Sequence, residues 1–273
     1  MKPSKTKKIF IHLTLILGSV IMVFPFIWMI LTALKTTGEC LKIPPTIFPS
    51  EPKWENFKEV FRLLPFGKFY LNTFVSTAAI CLGQAFICSL AAYSFARIDF
   101  PFKNVIFLLI LSVLMVPGQI FLIPQYLTIQ SMNLLNTIPA LFLPGLFSAF
   151  GTFLLRQFFM TIPKELEESA ILDGCSRFKI YYKIILPLAK PGIISLTIFA
   201  LLYGWNSLMW PLIINTSTEK MTISAGLASL QGQYATNYPV MMAGAFLAVI
   251  PLIVIFIIFQ KQFIEGIAFS GSK

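Results

Sequence analysis

Asn104–Leu155 reads NVIFLLILSVLMVPGQIFLIPQYLTIQSMNLLNTIPALFLPGLFSAFGTFLL, 52 residues without an Asp, Glu, Lys or Arg. A helix crosses about 30 Å of hydrocarbon with about 20 apolar residues. The stretch is therefore too long for one span. Its most polar part, Pro124 to Asn136, divides it into spans at 104–123 and 137–155. Working outward, Ile9–Ala33 is 25 residues without charge. Tyr70–Phe95 is a second uncharged run, interrupted mainly by Asn72 and Gln84. Pro191 to Ile214 gives a fifth span. Met221–Gln260 is also uncharged, but its first half (SAGLASLQGQYATNYP) suits an outer loop, which leaves a sixth span at 240–259. The pattern predicts an all-α integral membrane protein with spans at 9–33, 70–95, 104–123, 137–155, 191–214 and 240–259. Residues 1–273 then form a single transmembrane domain, with no internal repeat.

Composition agrees. The 273 residues are 57% hydrophobic and 12% charged, about half the roughly 25% charge of soluble domains. Mean hydropathy is +0.81. The 28 Phe exclude disorder. The net charge of +10 is accounted for by topology, since Lys and Arg collect on cytoplasmic flanks. Six spans put both termini on one side. With the termini cytoplasmic, 14 of the 21 Lys and Arg fall inside. Six of the other seven lie between Lys35 and Lys68, where Pro44, Pro45, Pro49 and four Glu suggest a folded outer cap. No basic face with interleaved aromatics is present, so nucleic acid is not a partner. The first apolar run far exceeds a 7–15-residue signal h-region and no cleavage pattern follows, so it reads as a retained helix. Pro25, Pro117, Pro144, Pro211 and Pro251 are kinks satisfied by neighbouring helices, or bends that line a path.

Chemistry is sparse. None of the six spans holds Asp, Glu, Lys or Arg, the usual marks of ion-coupled carriers. The sole His, His12, sits near the inner end of the first span. Cys40, Cys81, Cys88 and Cys175 form no CxxC pair and have no metal-ligand spacing; Cys81 and Cys88 read as small packed hydrophobes. There is no catalytic constellation and no metal site. A phosphate-binding GxxxxGK[ST] is absent; Gly67–Lys68 is followed by Phe69. The chain looks like a passageway whose energy arrives through a partner.

The one sizeable inner loop, Arg156–Lys190, reads RQFFMTIPKELEESAILDGCSRFKIYYKIILPLAK. Pro163 suits a first helical turn. Glu165, Glu167 and Glu168 place negative charge at the positive end of the helix dipole. Leu166, Ala170 and Ile171 make an apolar stripe, and Asp173–Gly174 is a stop. A second amphipathic run, Phe178 to Ile185, is expected to end before Pro187. Small Ser169, Ala170 and Gly174 leave a shallow surface for another protein. The alternative is a loop resting on headgroups. Glu165, Glu167, Glu168 and Asp173 would then face anionic lipid, which favours a protein partner.

The spacing Glu168-Ser169-Ala170, three residues, Gly174, nine residues, Ile184, one residue, Leu186-Pro187 resembles the EAA loop (about 160–190) of binding-protein-dependent ABC importers. It departs at Ser169, where the family usually has Ala. FPFIWMILTALKT (Phe24–Thr36), Pro44–Pro45, WENF (Trp54–Phe57), AAYSFARIDFP (Ala91–Pro101), LIPQY (Leu122–Tyr126) and LLNT (Leu134–Thr137) extend the likeness. FLLRQFF (Phe153–Phe159), Trp205–Asn206, WPLI (Trp210–Ile213) and MAGAFLAVIP (Met242–Pro251) carry it through the chain. All are similar to the smaller sugar permeases of the maltose-transporter type. The resemblance implies a prokaryotic cytoplasmic-membrane subunit paired with a second permease. It also implies two ATPase subunits, which carry ATP and Mg, and an extracytoplasmic solute-binding protein. The coupling helix would lie between spans 4 and 5, with Glu167, Glu168, Ser169, Ala170, Asp173, Gly174 and Phe178 docking the ATPase. A sugar path would involve Asn206 with Trp205 or Trp210; interhelical hydrogen bonding is the other reading of Asn206. Ser224–Asn237 would reach the binding protein; in the maltose-type system a C-terminal tail also reaches the ATPases, but the tail here, GIAFSGSK, departs from the common ending. Two other functions remain open on the residues alone: a membrane scaffold that anchors a soluble partner, and an integral-membrane transferase, which the missing catalytic groups disfavour.

Overall fold

The computed structural model describes residues 5–231 and 236–271, with side chains over 7–231 and 236–261. Every regular element among them is helical. The α-helices are α1 (Lys5–Ala33), α2 (Thr37–Cys40), α3 (Glu55–Leu63), α4 (Phe66–Arg97), α5 (Lys103–Ser112), α6 (Leu122–Ser131), α7 (Ile138–Phe142) and α8 (Ala149–Thr161). They continue as α9 (Glu165–Leu172), α10 (Arg177–Ile180), α11 (Leu186–Leu188), α12 (Lys190–Asn206), α13 (Met209–Ile214), α14 (Ile223–Ala228) and α15 (Tyr238–Gly271). The chain divides into two compact units. One is built from the chain up to Phe66 and from Gly226–Val254; the other comprises Gly67–Ala225 and the chain from Ile255.

Among the described residues three single helices are long and apolar enough to cross a membrane: α1, α4 and the part of α15 up to Lys261, the last with a kink at Phe259. Three further apolar pairs are bent. Lys103–Met115 and Gly118–Ser131 meet at 103°, Ile138–Gly145 and Ala149–Thr161 at 47°, and Arg177–Leu188 and Lys190–Asn206 at 78°. Six crossings result if each bent pair is one span.

The bends revise several expected boundaries. The run expected as one span at 104–123 breaks at Val116–Pro117. Val116 is extended (φ −93°, ψ 127°), because the ring of a following proline disfavours the helical region. The 137–155 run breaks before Ser148, whose hydroxyl accepts from the Gly151 amide and caps α8. The fifth run, expected at 191–214, ends its long helix at Asn206; Ser207 is extended (φ −62°, ψ 121°) and α13 follows separately. The expected stop before Pro187 is also corrected. The chain stays helical through Leu188, with a π turn at Tyr181–Ile185 and Pro187 in the first turn of α11. A proline costs no hydrogen bond in a first turn, and π turns absorb such local irregularity.

In the first unit, α1 is bare over most of its length; the side chains from Lys7 to Ile27 are exposed. Its last turn is buried and tightly fastened. Asn56 donates to the Ala33 and Lys35 carbonyls at 2.8 and 2.9 Å, which satisfies orphan groups of a helix end. Lys35 sits 4.8 Å over the Trp28 ring and donates to the Thr46 carbonyl. Thr36 and Glu39 form a capping box at α2, and the Ser50 amide donates to the other Glu39 oxygen at 2.8 Å. Phe57 meets Phe246 of α15 edge-on at 6.2 Å. The segment between α1 and α4 is thus folded, as its prolines and acids suggested.

In the second unit, α4 is the central post. Its polar interruptions serve distant backbone. Asn72 donates to the Glu219 and Met221 carbonyls at 2.8 and 2.9 Å. Gln84 donates to the Gly145 carbonyl at 2.8 Å, beside the break between α7 and α8. Gly204 of α12 lies against Thr77; a Cβ there would stand 3.0 Å from the Thr77 hydroxyl and 3.2 Å from its Cα. Such close backbone approach is the usual use of small residues between membrane helices. Cys88 and Ala92 pack with Leu155, Phe159, Ile180 and Ile185 in the inner core, which also takes in Ala170 of α9.

Candidate functional site

Two features of the second unit stand out: the loop around α9, and a cavity among α4, α6, α12 and α13. α9 opens just after Pro163 and carries three acids in its first turn. It closes in a double hydrogen-bond cap: the Cys175 amide reaches the Ala170 carbonyl at 2.9 Å, and the Gly174 amide reaches that of Ile171 at 2.9 Å. Gly174 has φ +76°. This is the Schellman arrangement, whose left-handed position favours glycine. Ser176 then caps α10 by accepting from the Lys179 amide.

The loop residues singled out in the sequence divide by face. Glu168, Ser169, Asp173, Gly174 and Phe178 are exposed, and Leu172 is 89% exposed. Phe178 rests on Tyr181 and Tyr182 at 5.9 and 5.7 Å. Glu167 and Ala170 turn inward instead, 6% and 7% exposed. Ala170 belongs to the inner core. Glu167 Oε1 stands 2.8 Å from Arg97 Nε, with both side chains under a tenth exposed. The two atoms form an ion pair without an aligned hydrogen bond. Tyr93 donates toward Glu167 Oε2 at 3.5 Å and the Arg177 carbonyl at 3.4 Å. Arg97 Nη2 also donates to the Phe159 and Ile162 carbonyls at the end of α8. Residue-type reasoning did not single out Tyr93 and Arg97 as neighbours of this loop; their signal is a place in the AAYSFARIDFP stretch, where Arg97 ends a long uncharged run.

The cavity has a volume of about 590 Å³. Asn206 and Trp210 line it, together with Gln119, Gln125, Tyr203 and Ser207; Trp205 does not. No ionisable Asp, Glu, Lys, Arg or His is among its lining residues. Asn206 is exposed and donates to the Leu202 carbonyl within its own helix at 2.9 Å. The Trp210 indole donates to the Ala140 carbonyl at 2.8 Å, so its polar edge is used for packing. Trp205 is buried, and its carbonyl accepts from Ser224. Sequence reasoning missed Tyr203, Gln119 and Gln125. Only Gln125 carried a signal, as the polar centre of LIPQY.

The far end of this unit is held by Asn136, whose amide and carbonyl groups meet Ser217 and Lys220, and by Lys68, 2.7 Å from Glu219. The Lys68 ammonium lowers the Glu219 carboxyl below its ordinary value. Of the stretch Ser224–Asn237, residues 232–235 lie outside the described residues; of the C-terminal tail, residues 272–273 do.

Apolar helices of spanning length, a largely apolar cavity with a few uncharged polar groups and a capped surface helix fit a multi-pass membrane protein of transport type. Residues 84–268 match the family described as "Binding-protein-dependent transport system inner membrane component". The chain belongs to that family, a family of transport components rather than catalysts, in which the EAA motif and coupling helix are characteristic. The chain is 33% identical over 270 residues to the sn-glycerol-3-phosphate transport system permease protein of Yersinia pestis bv. Antiqua (strain Antiqua), with 96% of each chain covered. It is 32% identical over 259 residues to the arabinooligosaccharides transport system permease protein of Bacillus subtilis (strain 168), covering 93% of this chain and 92% of that one. The fold matches a chain in the crystal structure of a bacterial ABC transporter involved in the import of the acidic polysaccharide alginate. The TM-score is 0.80 at 21% identity, over 96% of this chain and 99% of that one.

Proposed function

We propose that this chain is a permease subunit of an ATP-driven importer that carries a carbohydrate across the cytoplasmic membrane. The whole chain acts as one transmembrane domain of six crossings, each bent pair counting as one, with both termini cytoplasmic. α9 is the coupling helix. Its exposed face, Glu168, Ser169, Asp173 and Gly174 with Phe178 beyond the turn, docks on an ATPase subunit that binds ATP and Mg. Glu167 and Ala170 support that face from behind. The other partners are a second permease, a second copy of the ATPase and an extracytoplasmic solute-binding protein.

The observation that carries the reading is the capped helix α9, which presents acids, small residues and a bare Leu172 on an otherwise self-contained loop. The cavity supports a sugar as cargo. Its amide, hydroxyl and aromatic lining, without ionisable groups, matches a neutral polyhydroxylated ligand, since a few placed polar groups on an apolar wall fix orientation. The relative named for arabinooligosaccharides supports a carbohydrate cargo, and the one named for glycerol 3-phosphate adds a polyhydroxylated phosphate ester to the candidates to be tried.

The test is gentle purification of the tagged chain from its native membrane, with mass spectrometry of what accompanies it. The expected companions are a Walker-A ATPase and a second EAA-loop permease, with MgATP hydrolysis in the purified complex. Recovery of a well-folded chain alone, or with unrelated proteins, would overturn the importer reading in favour of a scaffold.

A further inference from the structure

We infer that the buried Arg97–Glu167 pair is the positioning contact that makes α4 move with the coupling helix; this rests on the function proposed above. Arg97 is the last residue of α4. Its guanidinium reaches Glu167 on α9 and two carbonyls at the end of α8. Tyr93, one turn earlier, reaches Glu167 and the start of α10. Arg156 of α8 closes the ring by donating to the Phe95 carbonyl at 3.1 Å. The inner end of α4 is therefore fastened to all three helices that surround the docking face.

The other end of the lever is the cavity. α4 contributes Ser76 and Ile80 to its wall. From Ser76 to Arg97 is 21 residues, about 32 Å along a helix axis at 1.5 Å per residue. A displacement of α9 pulls on a charge pair that neither partner can leave cheaply, because separation strands two charges away from water. The pull is delivered to a rigid helix and arrives at the cavity. Without the pair, α9 would still dock through its outer face, and the apolar contacts of Ala170 would still hold the loop. Force would reach α4 only through softer packing. Glu167 is thus distinct from its neighbour Glu168, which faces outward: one acid meets the motor and the other transmits its motion.

The experiment uses the importer purified with its native partners and reconstituted in proteoliposomes, with MgATP supplied. Transport of the best substrate from a sugar and sugar-phosphate panel is measured as molecules carried per ATP hydrolysed. Glu167→Gln, Arg97→Gln and the double variant form a cycle, with co-purifying ATPase and melting temperature as controls. The expected result is retained assembly and hydrolysis with transport per ATP reduced about fivefold or more in each single variant. The double variant is reduced no further, because the two side chains act as one unit. Arg97→Lys, which keeps the charge, recovers part of the loss. Additive losses, or unchanged transport per ATP in assembled complexes, overturn the inference. A wild-type chain that brings no ATPase overturns the importer reading and this inference together, which separates the two failures.

Discussion

Gly174 shows how one residue closes a functional element. Its φ of +76° is left-handed, yet a Cβ there would meet nothing within 4 Å. Space is open and the backbone alone is restrictive. Gly174→Ala should therefore weaken the end of α9 by about 1–2 kcal/mol, the cost of an L residue in that region. Gly174→Asn should cost less, because Asn tolerates it. Proteolysis of the Asp173–Arg177 turn in the purified complex gives the check; equal cleavage of the Ala and Asn variants would show that the backbone is not the constraint. The Asp-Gly pair made this turn legible from sequence. The inward facing of Glu167 was not. Glu165, Glu167 and Glu168 are alike in type, and what selects among them is Arg97, on a helix far earlier in the chain. Nothing local to the loop announces that choice.

At the scale of elements, charge-free runs gave the positions of the long helices because lipid leaves few alternatives to helix. They could not give the bends. Apart from Gly118 and Gln119 the residues flanking Pro117 are strongly apolar, so an uncharged run continues through a turn of 103°. The cap between α1 and α4 was legible only as a suspicion from its prolines and acids; its wiring through Asn56 and Glu39 depends on contacts between separate elements. Glu39 makes that wiring testable by pH. Hydrogen bonds from Ser50 and from the Thr36 backbone hold its carboxyl at about 2, below its ordinary 4.5. A lowered value means that ionised Glu39 stabilises the folded cap. The contribution is complete above pH 4.5 and fades as pH falls toward 2. Hydrogen-exchange protection of the Ser50 amide, corrected for intrinsic rate, should be flat from pH 8 to 5 and drop below 4.5. In Glu39→Gln the protection should be lower across the whole range. A wild-type profile that declines between pH 8 and 5 would assign the sensitivity to another group.

For the whole molecule, the separation of tasks is spatial. The loop around α9 is charged and exposed, and the cavity is uncharged and walled by helices. A change in one should leave the other intact. Tyr203→Ala should remove about 1 kcal/mol of aromatic contact with the cargo, raising the KM for transport about fivefold. MgATP hydrolysis and ATPase recovery should stay at wild-type levels. An unchanged KM would place the cargo elsewhere, on the second permease above all. The cavity is also where residue-type reasoning reached least far, since Tyr203 lies far along the chain from Gln119 and Gln125 and lines the same cavity only in the folded structure.

The Asn72 contacts have a temporal side. Its carbonyl partners lie up to 149 residues further along the chain. At a synthesis rate of about 5–20 residues per second, they emerge roughly 7–30 s after Asn72 itself. α4 can therefore pack on nearer segments, such as Gly145 through Gln84, well before the Asn72 clamp is able to close, which waits until the ribosome has passed Met221.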